Sequence, residues 1–381
     1  MNKVILQQPK RLFIGAGCVS DSLEEWRRHG LKRLFVVTSA GLDALVDQVV
    51  GPWREAGLEI EVCSQVNREP DLALFASVVD AARAFEPDGI IGLGGGSPID
   101  VAKLLAALWN ADQTPADVFG IGLLKGRTTY MACIPTTAGT GADVSPNSIL
   151  LDEADELKKG VVSPYLVPDA SFVDPELTMG LPPAITAATG YDALVHCMEA
   201  YANVHAHPIV DVIALEGIRR IGANLEKAVA DGSNVEARAN VMTGALYGGL
   251  CLGPVNTAAV HALAYPLGGA FHVPHGVSNS LLTPHVFRFN LPAEVSRYAD
   301  IGRALGVAEG LSDEEAGEKG VDRLTELSIN CGIPQRLRDV NVPKESIDVL
   351  ARESMKVTRL LQNNPRVLSE DDAREIYRSA W

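Results

Sequence analysis

The sequence predicts an α/β domain followed by an all-helical one. Apolar, β-branched runs alternate with helical patterns through the first half of the chain, and strand signals almost vanish beyond about Leu181. The change falls at Asp174–Pro183, where three prolines and Gly180 punctuate the chain. These observations divide the 381 residues into domains at 1–180 and 181–381.

Each element follows from its pattern. Arg33–Thr38 is an apolar strand and Leu42–Ala56 a helix, with a second strand at Leu58–Cys63. Asp71–Phe85 places Leu72, Phe75, Val78, Val79 and Ala82 at helical spacing. Gly89–Leu93 is a strand that runs into a glycine loop and a helix, and Thr129–Ile134 a strand that runs into a Thr/Gly loop. Strands alternating with helices imply a mostly parallel sheet covered on both faces. In the second half the helical periods are Ala184–Ala202, Ile209–Ala230, Val235–Leu252, Ala258–Tyr265 (broken by Pro266) and Val277–Phe289. They continue through Ala293–Leu305, Ser312–Cys331, Lys344–Arg352 and Ser369–Ser379.

A composition with 47% apolar and 21% charged residues is globular, and a chain of this length needs no disulfide or metal to build its core. A net charge of −15 with no compensating Lys/Arg cluster opposes binding to nucleic acid or an anionic membrane, so small-molecule partners are expected. Met1–Lys10 lacks a signal-peptide pattern, and no apolar run approaches the roughly 18 residues a membrane span requires. Six cysteines without CxxC spacing suit reduced thiols, hence a cytoplasmic location.

Two loops could hold phosphate. In GIIGLGGGSPIDVAK, Gly94, Gly95 and Gly96 end a strand, and Ser97, Pro98 and Asp100 fit N-cap, first helical and capping-box positions. Free N–H groups at this helix start suit a pyrophosphate, although the segment is not G-x-G-x-x-G and a plain tight turn reads equally well. PTTAGTGAD offers the hydroxyls of Thr136, Thr137 and Thr140 for phosphate or ribose, or is a solvated loop. In open α/β sheets, ligands lie at the carboxyl ends of the strands.

Asp192 and His196 stand at i and i+4 in TGYDALVHCMEAY and share a helix face. His261 lies in AAVHALAYPLGG, near the end of the helix that Pro266 breaks, and His275 in VPHGVSN. One carboxylate and three imidazoles could ligate Zn²⁺ or Fe²⁺. Spacing alone leaves the alternative of ordinary core histidines open.

GGGSPIDVAK, PTTAGTGAD, GYDALVHCMEAY and HALAYPLGGAFHVPHG, with FVDPELTMGLP, HPIVDVIALEGI, LLTPHVFRFN and NNPRVLSEDD, follow in an order that resembles the iron-containing (group III) alcohol dehydrogenases over nearly the whole chain. The resemblance implies a Rossmann-like, parallel-sheet dinucleotide-binding domain and an all-helical metal-binding domain, as in the dehydroquinate synthase-like fold. It implies Asp192, His196, His261 and His275 as metal ligands. Gly95, Gly96 and Ser97, flanked by Gly94 and Asp100, would cradle phosphate. Thr136, Thr137 and Thr140 would contact the dinucleotide, and Asn147 and Lys158 would lie near ribose and nicotinamide. The implied cofactors are NAD or NADP and Fe²⁺ (or Zn²⁺), the substrate is an alcohol or aldehyde, and the assembly is a homodimer.

The chain departs from the family pattern in three places. Tyr265, the candidate catalytic residue, stands where many members carry a histidine of a proposed proton path; it could hydrogen-bond substrate or cofactor, but its unperturbed pKa of about 10 matches a proton relay poorly at neutral pH. Ala142-Asp143 replaces a common Ser-Glu. Ser39 occupies the position of an Asp that would repel a 2′-phosphate, which leaves NADP open as well as NAD. The expected chemistry is hydride transfer between NAD(P) and a primary alcohol or aldehyde whose oxygen is held by the metal. Two other activities are possible on the same fold. They are an NAD-using sugar-phosphate cyclase (a lyase with a Glu-His-His metal set) and a metal-free maleylacetate-type reductase that lacks the full ligand set.

Overall fold

The computed structural model describes residues 3–67, 69–152 and 157–381. They form two compact units. One comprises Gln7–Thr137 and Gly141–Met179; the other is built on Gly180–Trp381 and takes in Ala138–Thr140 and the described residues before Gln7.

Among its described residues the first unit carries the strands β1 Arg11–Ile14, β2 Arg33–Val37, β3 Glu59–Cys63, β4 Gly89–Gly94, β5 Gly120–Ile121, β6 Tyr130–Pro135, β7 Asn147–Asp152, β8 Leu157–Val162 and β9 Ala170–Val173. A six-stranded sheet runs β1-β9-β6-β4-β2-β3, and every pairing in it is parallel. A smaller mixed sheet runs β5-β8-β7. The helices of this unit are α1 Ser22–Arg28, α2 Asp43–Glu55, α3 Leu72–Phe85, α4 Gly96–Leu108 and the short α5 Pro115–Val118.

The central strands β2, β4 and β6 are buried on both faces, which explains why they read as continuous apolar runs. Leu34, Val36, Ile91 and Leu93 pack under Trp26 of α1 and Val46, Val50 and Trp53 of α2. Their strand neighbours Phe35, Val37 and Ile90 face Phe75, Val78 and Ala82 of α3 and Leu104 and Leu105 of α4. The chain reverses its direction across the sheet between β2 and β4, so the loops after these strands flank a topological switch point.

The second unit is helical: α6 Pro183–Tyr201, α7 Pro208–Ala230, α8 Val235–Leu252, α9 Ala259–Phe271, α10 His275–Asn290, α11 Val295–Ala304, α12 Asp313–Asn330, α13 Ile347–Ser354, α14 Thr358–Leu361 and α15 Glu370–Ala380. Helix α6 opens on Pro182 and Pro183 and is buried almost all round from Gly190 to Tyr201, as the central helix of a bundle must be.

Three expectations need correction. Helix α9 does not stop before Pro266 but passes through it to Phe271, so His261 sits in its first turn rather than near its end. Pro266 removes the N–H that would reach Ala262, and Tyr377 Oη holds the neighbouring carbonyl of Leu263 at 2.5 Å. The capping box at Ser97 and Asp100 does not form. Gly95 is the N-cap and the helix begins at Gly96, because Gly94 at φ +151° turns the chain two residues sooner. His275 opens α10 rather than preceding it.

Candidate metal centre and cofactor loops

In the first unit, the turn after β4 lies against the loop after β6. Thr136 N–H donates to Gly94 O at 2.9 Å, and a Cβ on Gly95 would meet Thr137 Oγ1 and Cγ2 at 3.6 Å. The α4 start therefore presents the N–H groups of Gly96 and Ser97 uncapped by any side chain, beside the Thr137 hydroxyl. Asp100 turns elsewhere and accepts from Ile149 N–H at 3.0 Å, which ties α4 to β7. Lys103, fully buried on α4, donates to Ala142 O (2.8 Å), Ser145 O (2.7 Å) and Asn147 O. It clamps the end of the Thr/Gly loop, and burial lowers its pKa. Asn147 leaves a buried Oδ1 without a partner, as does the Thr38 hydroxyl at the end of β2, next to half-buried Ser39. Lys158 on β8 pairs with Glu69 at 2.9 Å. Thr136 and Thr137 adjoin the glycine turn, and Thr140 falls with Ala138 and Gly139 in the second unit.

In the second unit, Asp192 and His196 project from one face of α6, His261 from the first turn of α9, and His275 from the first residue of α10. One ligand atom from each of Asp192, His261 and His275 lies within 4.8 Å of the others. Asp192 Oδ1 is 3.5 Å from His261 Nε2 and 3.7 Å from His275 Nε2. His196 stands beside this trio rather than in it. Its ring stacks on His261 at 4.7 Å, and its Nδ1 is buried without a hydrogen-bond partner. Asp192, His196 and His261 are buried, whereas His275 keeps 29% of its side chain exposed and marks the accessible side. Tyr265, half-buried, has its ring 6.1 Å from that of His275.

Burial alone would raise the pKa of Asp192, but the three imidazoles hold its carboxyl well below the usual range. Burial pushes His196 down to about 4, so its ring is neutral and able to ligate. Burial would also lower His261, yet the Glu199 and Asp192 carboxylates together outweigh it and raise this ring to about 9.

Two residues at the site escape sequence reasoning. Glu199 accepts from His261 Nδ1 at 2.6 Å. Asn279, fully buried, places Nδ2 at 2.6 Å from Asp192 Oδ1, 3.2 Å from His261 Nε2 and 3.3 Å from His275 Nε2, while its Oδ1 finds no partner. Both carry a spacing signal. Glu199 follows Asp192 and His196 at i+7 and i+3, and Asn279 follows His275 at i+4.

This donor set fits a divalent cation. One carboxylate and two imidazole nitrogens converge, a third imidazole adjoins them, and buried polar atoms lack partners.

A family model described as iron-containing alcohol dehydrogenase matches residues 9–175, and one described as the C-terminal part of the Fe-containing alcohol dehydrogenase family matches residues 186–381. Long-chain-alcohol dehydrogenase 1 of Geobacillus thermodenitrificans (strain NG80-2) is 39% identical over 379 residues, covering 98% of this chain and 95% of that protein. A crystal structure of 1,3-propanediol oxidoreductase superposes with a TM-score of 0.96 at 35% identity over the whole of both chains. Sulfoacetaldehyde reductase from Bifidobacterium kashiwanohense, solved in complex with NAD⁺, gives a TM-score of 0.89 at 27% identity, covering 99% of this chain and 98% of that one.

Proposed function

The chain belongs to the iron-containing alcohol dehydrogenase family, and from that premise we propose that Asp192, His196, His261 and His275 hold its catalytic cation while the β4–α4 turn and the β6 loop hold its dinucleotide. The protein is a metal-dependent alcohol/aldehyde oxidoreductase; the cyclase and metal-free reductase alternatives find no support among its relatives. The observation that carries the site assignment is the convergence of Asp192 Oδ1, His261 Nε2 and His275 Nε2 on one small volume.

When bound, the cation supplies Lewis acidity toward an alcohol or carbonyl oxygen, and the nicotinamide accepts or returns hydride. The protein's own residues position and exclude. Asp192 supplies the negative charge of the site, and burial of Asp192, His196 and His261 keeps water from competing for it. Partly exposed His275 leaves the side from which substrate enters. Uncapped N–H groups of Gly96 and Ser97 orient the pyrophosphate, and the Thr136 and Thr137 hydroxyls, Asn147 and Lys158 line the same assignment. Ser39 brings no carboxylate to the end of β2, so either NAD or NADP is accommodated there. Tyr265 borders the entrance through its contact with His275. The bound-NAD⁺ relative supports NAD, and the His/carboxylate set suits Fe²⁺ and Zn²⁺ alike. A cytoplasmic location is supported by six unpaired cysteines, and a homodimer by the family resemblance.

His261→Ala is expected to lose bound metal and turnover of alcohols and aldehydes with NAD(H) or NADP(H), while the first unit still folds. Metal analysis, nicotinamide absorbance and circular dichroism check this. Full turnover by the metal-free variant contradicts the assignment.

A further inference from the structure

We propose that Glu199 is a positioning residue of the metal site, one that fixes the tautomer of His261 so that Nε2 faces the cation with its lone pair free. The inference rests on the assignment of His261 as a ligand.

Helix α9 begins at Ala259 with Ala258 as N-cap, and no side chain of its own caps it. Its first N–H groups therefore need acceptors from elsewhere. Glu199, seven residues beyond Asp192 on α6, supplies them. Val260 N–H donates to Oε1 at 2.6 Å and Ala258 N–H to Oε2 at 3.0 Å. Oε2 also meets His261 Nδ1 at 2.6 Å. An ionised carboxylate only accepts, so Nδ1 must carry the proton of this contact. On the other side of the ring, Nε2 faces the metal trio, 3.2 Å from Asn279 Nδ2 and 3.5 Å from Asp192 Oδ1. Glu199 and His261 are 4% and 3% exposed, so water cannot replace either partner. A carboxylate behind a ligating imidazole sets ring orientation and basicity, and losing it typically costs roughly 10–100-fold in metal affinity.

Capping alone would make Glu199 a structural residue, and Glu199→Gln separates the two roles. The amide keeps one oxygen for the α9 N–H groups, but an NH₂ at the Oε2 position donates to Nδ1 and moves the ring proton to Nε2. The test uses the full-length chain stripped of metal and titrated with Zn²⁺ against a competing chelator. Nitrogen NMR of labelled histidine, taken above about pH 9 where the His261 ring of the stripped protein is neutral, reads its tautomer, and His261→Ala and Glu199→Asp are measured alongside. We expect Glu199→Gln to bind Zn²⁺ about 10–100-fold more weakly, with Nε2 protonated. Glu199→Asp, which keeps the carboxylate, recovers part of the loss. Unchanged Zn²⁺ affinity in Glu199→Gln, or weaker binding with Nδ1 still protonated, overturns the role while His261→Ala loses the metal. If His261→Ala itself binds Zn²⁺ as tightly as the parent, the ligand assignment fails, and the role of Glu199 with it.

Discussion

Asp143 shows how a buried group outside the metal centre leaves a mark on stability. It is almost fully buried, with Ser171 Oγ at 3.5 Å, and burial raises its pKa from 3.8 to about 6. A carboxyl raised in the folded state favours folding most below its unfolded pKa, and that advantage is lost as pH rises through about 6. Asp143→Asn cannot ionise. Its melting temperature relative to the parent should therefore climb between pH 4 and pH 7, toward a gain on the order of 2–3 kcal/mol. A difference that stays constant with pH would contradict the assignment of that ionisation to Asp143. Residue-level chemistry was partly legible in advance. Asp192 and His196 announce themselves by i,i+4 spacing, but the partners of His261 and His275 do not. Glu199 and Asn279 are common polar residues whose meaning appears only when α6, α9 and α10 meet.

At the scale of elements, the approach of α10 to α6 depends on Gly276. A Cβ there would stand 2.1 Å from the Ala188 carbonyl oxygen, a backbone atom that cannot swing aside. Gly276→Ala should push the start of α10 off α6, carrying His275 away from Asp192. A loss of roughly 1–3 kcal/mol in stability is expected, together with weaker metal binding. Thermal melting with and without added Zn²⁺ checks it, and parental behaviour in both would contradict it. The long periodic helices, the buried strands β2, β4 and β6 and the alternating β3 were legible because their patterns are strong. β1 and β9 escaped because four residues carry little periodicity, and β5, β7 and β8 because a small mixed sheet lacks a continuous apolar run. Pro266 misled because a distant tyrosine supports the helix through it.

For the whole molecule, the division into a sheet-bearing unit and a helical one follows from the change of periodicity near Gly180. The transfer of Ala138–Thr140 to the helical unit had no local signal; it rests on packing such as Gly139, whose Cβ would meet Thr189 Cβ at 2.8 Å. Among the described residues, no helix is long and apolar enough to cross a membrane, and the charge of −15 accords with small-molecule chemistry. The most direct test is anomalous diffraction from crystals of the protein reloaded with Fe²⁺ or Zn²⁺. The structure predicts one cation per chain ligated by Asp192, His196, His261 and His275, at about 2.0–2.2 Å from each donor atom. A cation bound elsewhere, or none bound while alcohol oxidation proceeds, would contradict it.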